Sequence, residues 1–214
     1  MAVVSISGFA TEPGRTADHM AASMEAVEHL NRIGTPAFLL QPVAGADIGT
    51  LGIAANHADN AAYAAALQRA AADEQWQEFL ARAMAGGSAQ QVESSLYNDL
   101  DPNFLPAADR PIGVVLGIQW RAKDGRLADF IGKVGEAVPH IERMGGAART
   151  MQCLTGRYPM TTLVSTSFAD LDAYGAYADR TASDADWQAF WAGALNDPTA
   201  DVVRSGLYLN ATAG

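Results

Sequence analysis

Near the start of the chain, the pattern of hydrophobic and polar positions changes from that of a β-strand to that of an α-helix. VVSISGF (residues 3–9) is a short β-rich run, and apolar side chains then recur at helical spacing at Met20, Met24 and Val27. Gly34 follows that amphipathic stretch and is expected to end the helix. The pattern therefore predicts a strand followed by a helix.

The next sixty residues predict the rest of one unit. PAFLLQPVA and TLGIAANH are two extended runs separated by glycines. Asp59 offers an N-cap for an alanine-rich helix, Asp73 restarts that helix as DEQWQEF, and VESSLYNDL is a final strand. The order β-α-β-β-α-β is the ferredoxin-like split motif.

The same pattern occurs twice in the chain. DEQWQEFLARAM begins at residue 73 and DADWQAFWAGAL at residue 184, an offset of 184 − 73 = 111, and about a third of all pairs at this offset are identical without a gap. We therefore predict two repeats, residues 1–103 and 112–214, joined by a proline-rich linker at 104–111. Each repeat leaves one sheet face bare, so two sheets packed face to face are expected to bury it.

The second repeat carries a recognisable resemblance. Its D-x-x-W-Q-x-F helix, preceded by RLADFIGKVGEAVPHIERMGGAARTMQCLTG, resembles the NIPSNAP family of the dimeric α/β-barrel superfamily over residues 112–210, and residues 3–99 do so more weakly. The resemblance implies an α+β barrel made by two ferredoxin-like units, here fused into an intramolecular pseudo-dimer. It implies no single reaction, because that superfamily includes cofactor-free oxygenases, isomerases, polyketide cyclases, haem-binding enzymes and proteins without assigned chemistry.

Composition and charge restrict the possible partners. The 214 residues carry 24 acidic and 14 basic side chains, a net charge of −10, which argues against nucleic acid and anionic membranes as partners. The lone Cys153 cannot form an internal disulfide, and the N-terminus has no signal-peptide pattern, so we expect a cytoplasmic protein. The chain is expected to act as a monomeric pseudo-dimer or as a higher homo-oligomer.

The residues shared by the repeats suggest a core and a polar helix face. Trp187 and Trp191 share one face of their helix, which predicts core packing and leaves open that a tryptophan also walls a ligand pocket. His29 and His140 lie almost opposite the buried stripe of the first helix in each repeat. We expect both imidazoles to be largely exposed, and a role as general bases is the alternative.

Residues that differ between the repeats are the better candidates for chemistry. We predict catalytic roles for His57, Arg149, Tyr158 and Tyr208, and ligand binding by a second set, namely Gln119, Trp120, Trp187 and Trp191. Six of these differ between the repeats, whereas Tyr208 and Trp187 are shared with the first repeat as Tyr97 and Trp76. Arg149 stands in an extended run where the first repeat has Phe38, so an inward-pointing guanidinium would need a carboxylate, a carbonyl or an anionic ligand. Arg149→Phe is accordingly expected to spare folding and to weaken binding of such a ligand. An edge-strand arginine facing water is the alternative.

Sequence motifs for common enzyme classes are absent. The chain has no nucleotide-binding glycine loop, no G-x-S-x-G, no H-E-x-x-H and no paired C-x-x-C, and its four histidines do not have zinc-ligand spacing. No metal or cofactor is expected, although haem remains open if a histidine faces the cavity. Two hypotheses follow. One is an enzyme acting on a small hydrophobic or aromatic molecule by oxygenase, isomerase or cyclase chemistry, and the other is a non-catalytic ligand-binding or protein-interaction module.

Overall fold

The computed structural model describes residues 1–45, 47–101 and 111–213. The first repeat contains β1 (Val3–Thr11), α1 (Thr16–Arg32), β2 (Ala37–Gly45), β3 (Thr50–His57), α2 (Asn60–Ala72), α3 (Glu74–Gly86) and β4 (Ala89–Asp99). The second contains β5 (Val114–Ala122), α4 (Leu127–Arg143), β6 (Ala147–Thr155), β7 (Thr162–Phe168), α5 (Leu171–Ser183), α6 (Ala185–Asn196) and β8 (Ala200–Asn210). The predicted element order is confirmed in both repeats, and β1, α1, α2 and β4 recur with identical bounds at the 111-residue offset.

The eight strands form one closed antiparallel barrel in the order β1-β3-β2-β8-β5-β7-β6-β4. The two repeats join at β2–β8, where Gln41 pairs with Leu209, and at β4–β6, where Tyr97 pairs with Cys153. The two sheets expected to pack face to face are joined along both edges into one barrel, so the α/β barrel implied by the resemblance is confirmed. Closure pairs the outer strands of both sheets and so leaves no unpaired sheet edge.

The repeat boundaries stay a prediction. Residues 104–110 of the expected linker lie outside the described residues, and Pro111 is the first described residue after them. Within the described part of the chain, no helix is long and apolar enough to cross a membrane.

The repeated D-x-x-W sequence joins the two helix layers of each repeat. Asp73 Oδ1 accepts a hydrogen bond from the backbone N–H of Trp76 at 2.7 Å and so caps α3, as a carboxylate at a helix N-terminus should. The same carboxylate accepts two bonds from the guanidinium of Arg32 on α1, at 2.5 and 2.9 Å. The hydrogen bonds from Arg32 and Trp76 lower the pKa of Asp73 to about 2. Asp184 repeats the cap and the ion pair in the second half.

His29 and His140 belong to this helix junction. The His29 side chain is 16% exposed, and its ring centroid lies 5.3 Å from that of Phe79 on α3. His140 stacks on Phe190 at 5.5 Å in the same way. The expectation that both imidazoles are largely exposed is therefore wrong. The helix-wheel argument placed them opposite the sheet but did not anticipate that a second helix covers that side.

Candidate functional site

The barrel encloses a cavity of about 720 Å³ whose wall comes from both repeats. Because strand side chains alternate between faces, every second residue of a strand points into it. Most of the wall is apolar, formed by side chains such as Val4, Ile6, Leu40, Met151 and Leu163. This volume and lining are typical of sites that bind small organic molecules.

Arg149 reaches into the cavity wall and is held by the first repeat. Its Nε and Nη2 each donate a 2.7 Å hydrogen bond to the Asp99 carboxylate, and its Nη1 donates to Asn56 Oδ1 at 2.7 Å. The side chains of Arg149 and Asp99 are 14% and 1% exposed. The guanidinium thus has the partner carboxylate that the sequence argument required, and the edge-strand interpretation is wrong. Arg149→Phe would strand that carboxylate, so it is no longer expected to spare folding.

A second ion pair crosses the barrel between equivalent positions of the two repeats. Arg204 lies 204 − 93 = 111 residues after Glu93, and its Nη1 and Nη2 donate to the two Glu93 carboxylate oxygens at 2.7 and 2.8 Å. Its Nε donates to Gln119 Oε1 at 2.7 Å. Burial disfavours the guanidinium charge, but the bonds to Glu93 and the nearby Asp47 carboxylate outweigh it and raise the pKa of Arg204. Arg204 therefore stays charged inside the barrel.

Tyr208 and Asp47 form a hydrogen-bonded pair beside this network. The Tyr208 hydroxyl donates to Asp47 Oδ2 at 2.5 Å, and both residues line the cavity. A Cβ at position 206 would stand 2.5 Å from the Tyr208 hydroxyl, so Gly206 is needed for the ring to take this position. Burial, followed by the bond to Asp47, raises the pKa of Tyr208, which keeps the phenol protonated as a donor at neutral pH.

Tyr158 and Arg157 lie on the β6–β7 loop, beside the polar network formed by Arg204 and its partners Glu93, Gln119 and Asp47. The guanidinium carbons of Arg204 and Arg157 lie 5.0 and 5.4 Å from the Tyr158 ring centroid. Arg157 lines the cavity and is exposed, whereas Tyr158 is not among the lining residues and packs against Arg204.

The predicted site residues fall into two groups, those that line the cavity or contact its polar network and those whose side chains point away from it. Arg149, Tyr208 and Gln119 line the cavity, and Gln119 is fully buried, with its Nε2 donating to Thr161 Oγ1 at 2.7 Å. Tyr158 contacts the network as described.

The three tryptophans predicted to bind a ligand lie on the helix side of the sheet. Trp120 packs against Phe130 and Trp191, and Trp187 stacks on Trp191 with centroids 5.8 Å apart. They are not among the residues lining the cavity, because position 120 follows inward Gln119 and the others are on a helix outside the barrel.

His57 contributes to the rim of the cavity, but its imidazole is turned away from the interior. Its Nε2 lies 3.2 Å from Ser5 Oγ, and its ring packs edge-on against Tyr63 of α2 at 5.1 Å. Phe168 takes the equivalent place in the second repeat and packs against Tyr174. Burial, and secondarily the charge of Arg69, lowers the pKa of His57, so the ring is neutral at pH 7.

Sequence reasoning missed Asp47, Asn56, Glu93, Asp99 and Arg204. A signal for two of them was present, because Glu93 and Arg204 are opposite charges at one repeat position on strands with two-residue alternation. Asp99 and Asn56 gave no such signal, since neither stands at the repeat position of their partner Arg149, whose equivalent is Phe38. The interior polarity is therefore contributed by both repeats.

The comparisons identify the fold. Neither a protein-family model nor a curated protein matches the chain. A candidate monooxygenase from Fusobacterium nucleatum superposes with a TM-score of 0.67 at 13% identity, covering 100% of this chain and 96% of its own. An anthrone oxidase-like protein gives 0.62 at 12%, with 97% and 90% covered. A haem-binding protein from Thermus thermophilus gives 0.54 at 12%, with 99% and 92% covered.

At these identities the similarity establishes the architecture alone. The protein is a tandem ferredoxin-like chain that forms a dimeric α/β-barrel fold within a single polypeptide. The NIPSNAP resemblance stays a prediction.

Proposed function

We propose that this protein is an enzyme that binds a small hydrophobic or aromatic substrate in the barrel cavity and removes a proton from it. The Asp47–Tyr208 pair in the wall of a mostly apolar 720 Å³ cavity carries the proposal. A carboxylate within hydrogen-bonding reach of a bound molecule can act as a general base, and such catalysis typically contributes about 10²- to 10⁴-fold. The named neighbours, a candidate monooxygenase and an anthrone oxidase-like protein, fit a substrate of this class.

In this scheme Asp47 takes a proton from an acidic C–H or a phenolic O–H of the substrate. The electron pair left behind forms an enolate or a phenolate. The protonated Tyr208 hydroxyl and the charged Arg204 guanidinium lie beside Asp47 and would stabilise that anion. Oxygenation, isomerisation and cyclisation of aromatic ketones all can begin with this proton transfer, so the site supports the class of reaction and leaves the later step to the substrate.

Haem fits the described residues poorly. Histidine is a common axial ligand, but the His57 imidazole is turned towards Ser5 and Tyr63. Cys153 is fully buried and its Sγ donates to Thr155 O, and burial raises the pKa of its thiol, which disfavours a thiolate ligand. Among the described residues, no cluster of three or more His, Cys, Asp or Glu side chains could hold a metal ion. The proposed reaction therefore involves no haem.

The test is exchange of an acidic C–H. The protein is incubated with 2-tetralone, an aromatic ketone, in deuterated buffer, and loss of the acidic proton signals is followed by NMR. The native protein should accelerate exchange over buffer, and Asp47→Asn should reduce that acceleration by about 100-fold or more. Asp124→Asn, which changes an exposed carboxylate away from the cavity, should leave it unchanged.

A non-catalytic binding module is the second candidate. The buried Arg149–Asp99 and Arg204–Glu93 pairs favour it, because side chains whose charges are already paired can hold the cavity wall rigid without taking part in catalysis. Saturable binding of 2-tetralone without any acceleration of exchange would support this alternative and refute the proposed base.

A further inference from the structure

The three cavity arginines differ in how their charges are balanced. Arg149 is paired with Asp99 and Arg204 with Glu93, each through two short hydrogen bonds. Arg157 has no carboxylate partner among the described residues, and its guanidinium lies over the Tyr158 ring. It is therefore the cation of this cavity whose charge remains available to a ligand.

The loop that carries Arg157 is anchored on both sides of it. A Cβ at position 156 would stand 2.2 Å from Ser95 Oγ, so only glycine allows the loop to lie this close to β4. On the other side, Thr161 Oγ1 donates to Tyr158 O at 2.5 Å, and Met160 N donates to Cys153 O at 3.0 Å. The guanidinium thus extends from a fixed backbone, which lowers the entropic cost of binding a ligand there.

The corresponding loop of the first repeat presents the opposite charge. Arg157 is equivalent to Ala46, and Tyr158 is equivalent to Asp47. One loop therefore brings a carboxylate to the cavity and the other brings a guanidinium. The duplication has therefore placed different charges on two equivalent loops, both of which reach Arg204: Asp47 by an ion pair and the Arg157 loop through the Tyr158 ring.

From this arrangement we infer that Arg157 binds an anionic group of the substrate, so that the natural ligand is an aromatic or fused-ring molecule bearing a carboxylate, a sulfonate-like group or a phenolate. The inference rests on the proposed use of the cavity and adds the substrate class to it. A guanidinium binds oxyanions through charge-assisted and often bidentate hydrogen bonds. Such an anchor matters more in a protein with a net charge of −10, which repels anions at long range.

Two fluorescent probes that share a ring system test the inference. 1-Anilinonaphthalene-8-sulfonate is anionic, and N-phenyl-1-naphthylamine lacks the sulfonate. Arg157→Ala, which copies the residue of the first repeat, should weaken binding of the sulfonate about 10-fold, as expected for one charged hydrogen bond, and should change binding of the neutral probe less than twofold. Arg121→Ala removes an exposed arginine outside the cavity and should affect neither probe.

Two results would overturn the inference. Equal affinities of native protein and Arg157→Ala for the sulfonate would show that the guanidinium does not contact the anion. Failure of the two probes to displace each other would show that the sulfonate lies outside the cavity. Neither result touches the proposed base, because proton exchange from the neutral 2-tetralone does not depend on Arg157. If the protein still accelerates proton exchange of 2-tetralone when either result is obtained, the anionic substrate class is refuted and the proposed base is retained.

Discussion

The Arg149–Asp99 pair gives the sharpest test of how the cavity is held together. Arg149→Phe installs the residue of the first repeat, since Phe38 lies 149 − 38 = 111 positions earlier. The substitution leaves the Asp99 carboxylate, 1% exposed, without the two 2.7 Å hydrogen bonds that now neutralise it. Removing one partner of a buried ion pair typically costs about 3 to 5 kcal/mol, which is a large part of the stability of an ordinary domain.

The repeat also supplies the rescue. Asn210 is the equivalent of Asp99, since 210 − 99 = 111, so Asp99→Asn combined with Arg149→Phe rebuilds at the β4–β6 junction the Phe38 and Asn210 combination present at the β2–β8 junction. The double variant removes the stranded charge and should recover to within about 1 to 2 kcal/mol of the native protein, since replacing a buried pair by neutral groups is often close to neutral. Asp99→Asn alone should cost about 1 to 3 kcal/mol, because Arg149 keeps its bond to Asn56.

Urea unfolding followed by tryptophan fluorescence and circular dichroism measures all four proteins. The reasoning predicts that the double variant is more stable than Arg149→Phe by about 2 kcal/mol or more. If Arg149→Phe is as stable as the native protein, or if adding Asp99→Asn does not help it, the pair does not act as a buried ion pair.

Two further predictions concern histidines outside the cavity. Burial lowers the pKa of His19, whose Nδ1 lies 2.8 Å from Thr11 Oγ1, so the unfolded chain takes up a proton first and the free energy of unfolding should fall as pH drops below about 6.5. His19→Phe, which copies Phe130, should flatten the pH dependence of urea midpoints between pH 7.5 and 5, leaving the contribution of His57; an unchanged slope would contradict this. His140→Ala should lower the free energy of unfolding by about 1 kcal/mol through lost stacking on Phe190, whereas Glu136→Ala, at an exposed carboxylate, should have little effect. Equal urea midpoints for the two variants would show that His140 does not stabilise the contact between α4 and α6.

The sequence by itself determined the elements and their duplication. Asp59 and Asp73 mark helix starts because a short carboxylate can accept a bond from the N–H three residues ahead, and both do so in the structure. Strand alternation likewise follows from neighbours along the chain, and the repeat at an offset of 111 residues gives both halves the same ferredoxin-like order. These features depend on local geometry, which the order of residues encodes directly.

Only the tertiary structure decided which face of each strand meets the cavity and which charges meet there. His57 was expected to face the cavity, yet the strand pleat turns its imidazole towards α2, while Asn56 beside it points inward to Arg149. Arg149 meets Asp99 because closure of the barrel pairs β6 with β4, and Arg204 meets Glu93 across the interior because the two repeats face each other. Pairs of this kind join residues 50 and 111 positions apart, and their partners are fixed by strand pairing and barrel closure, which no local pattern records.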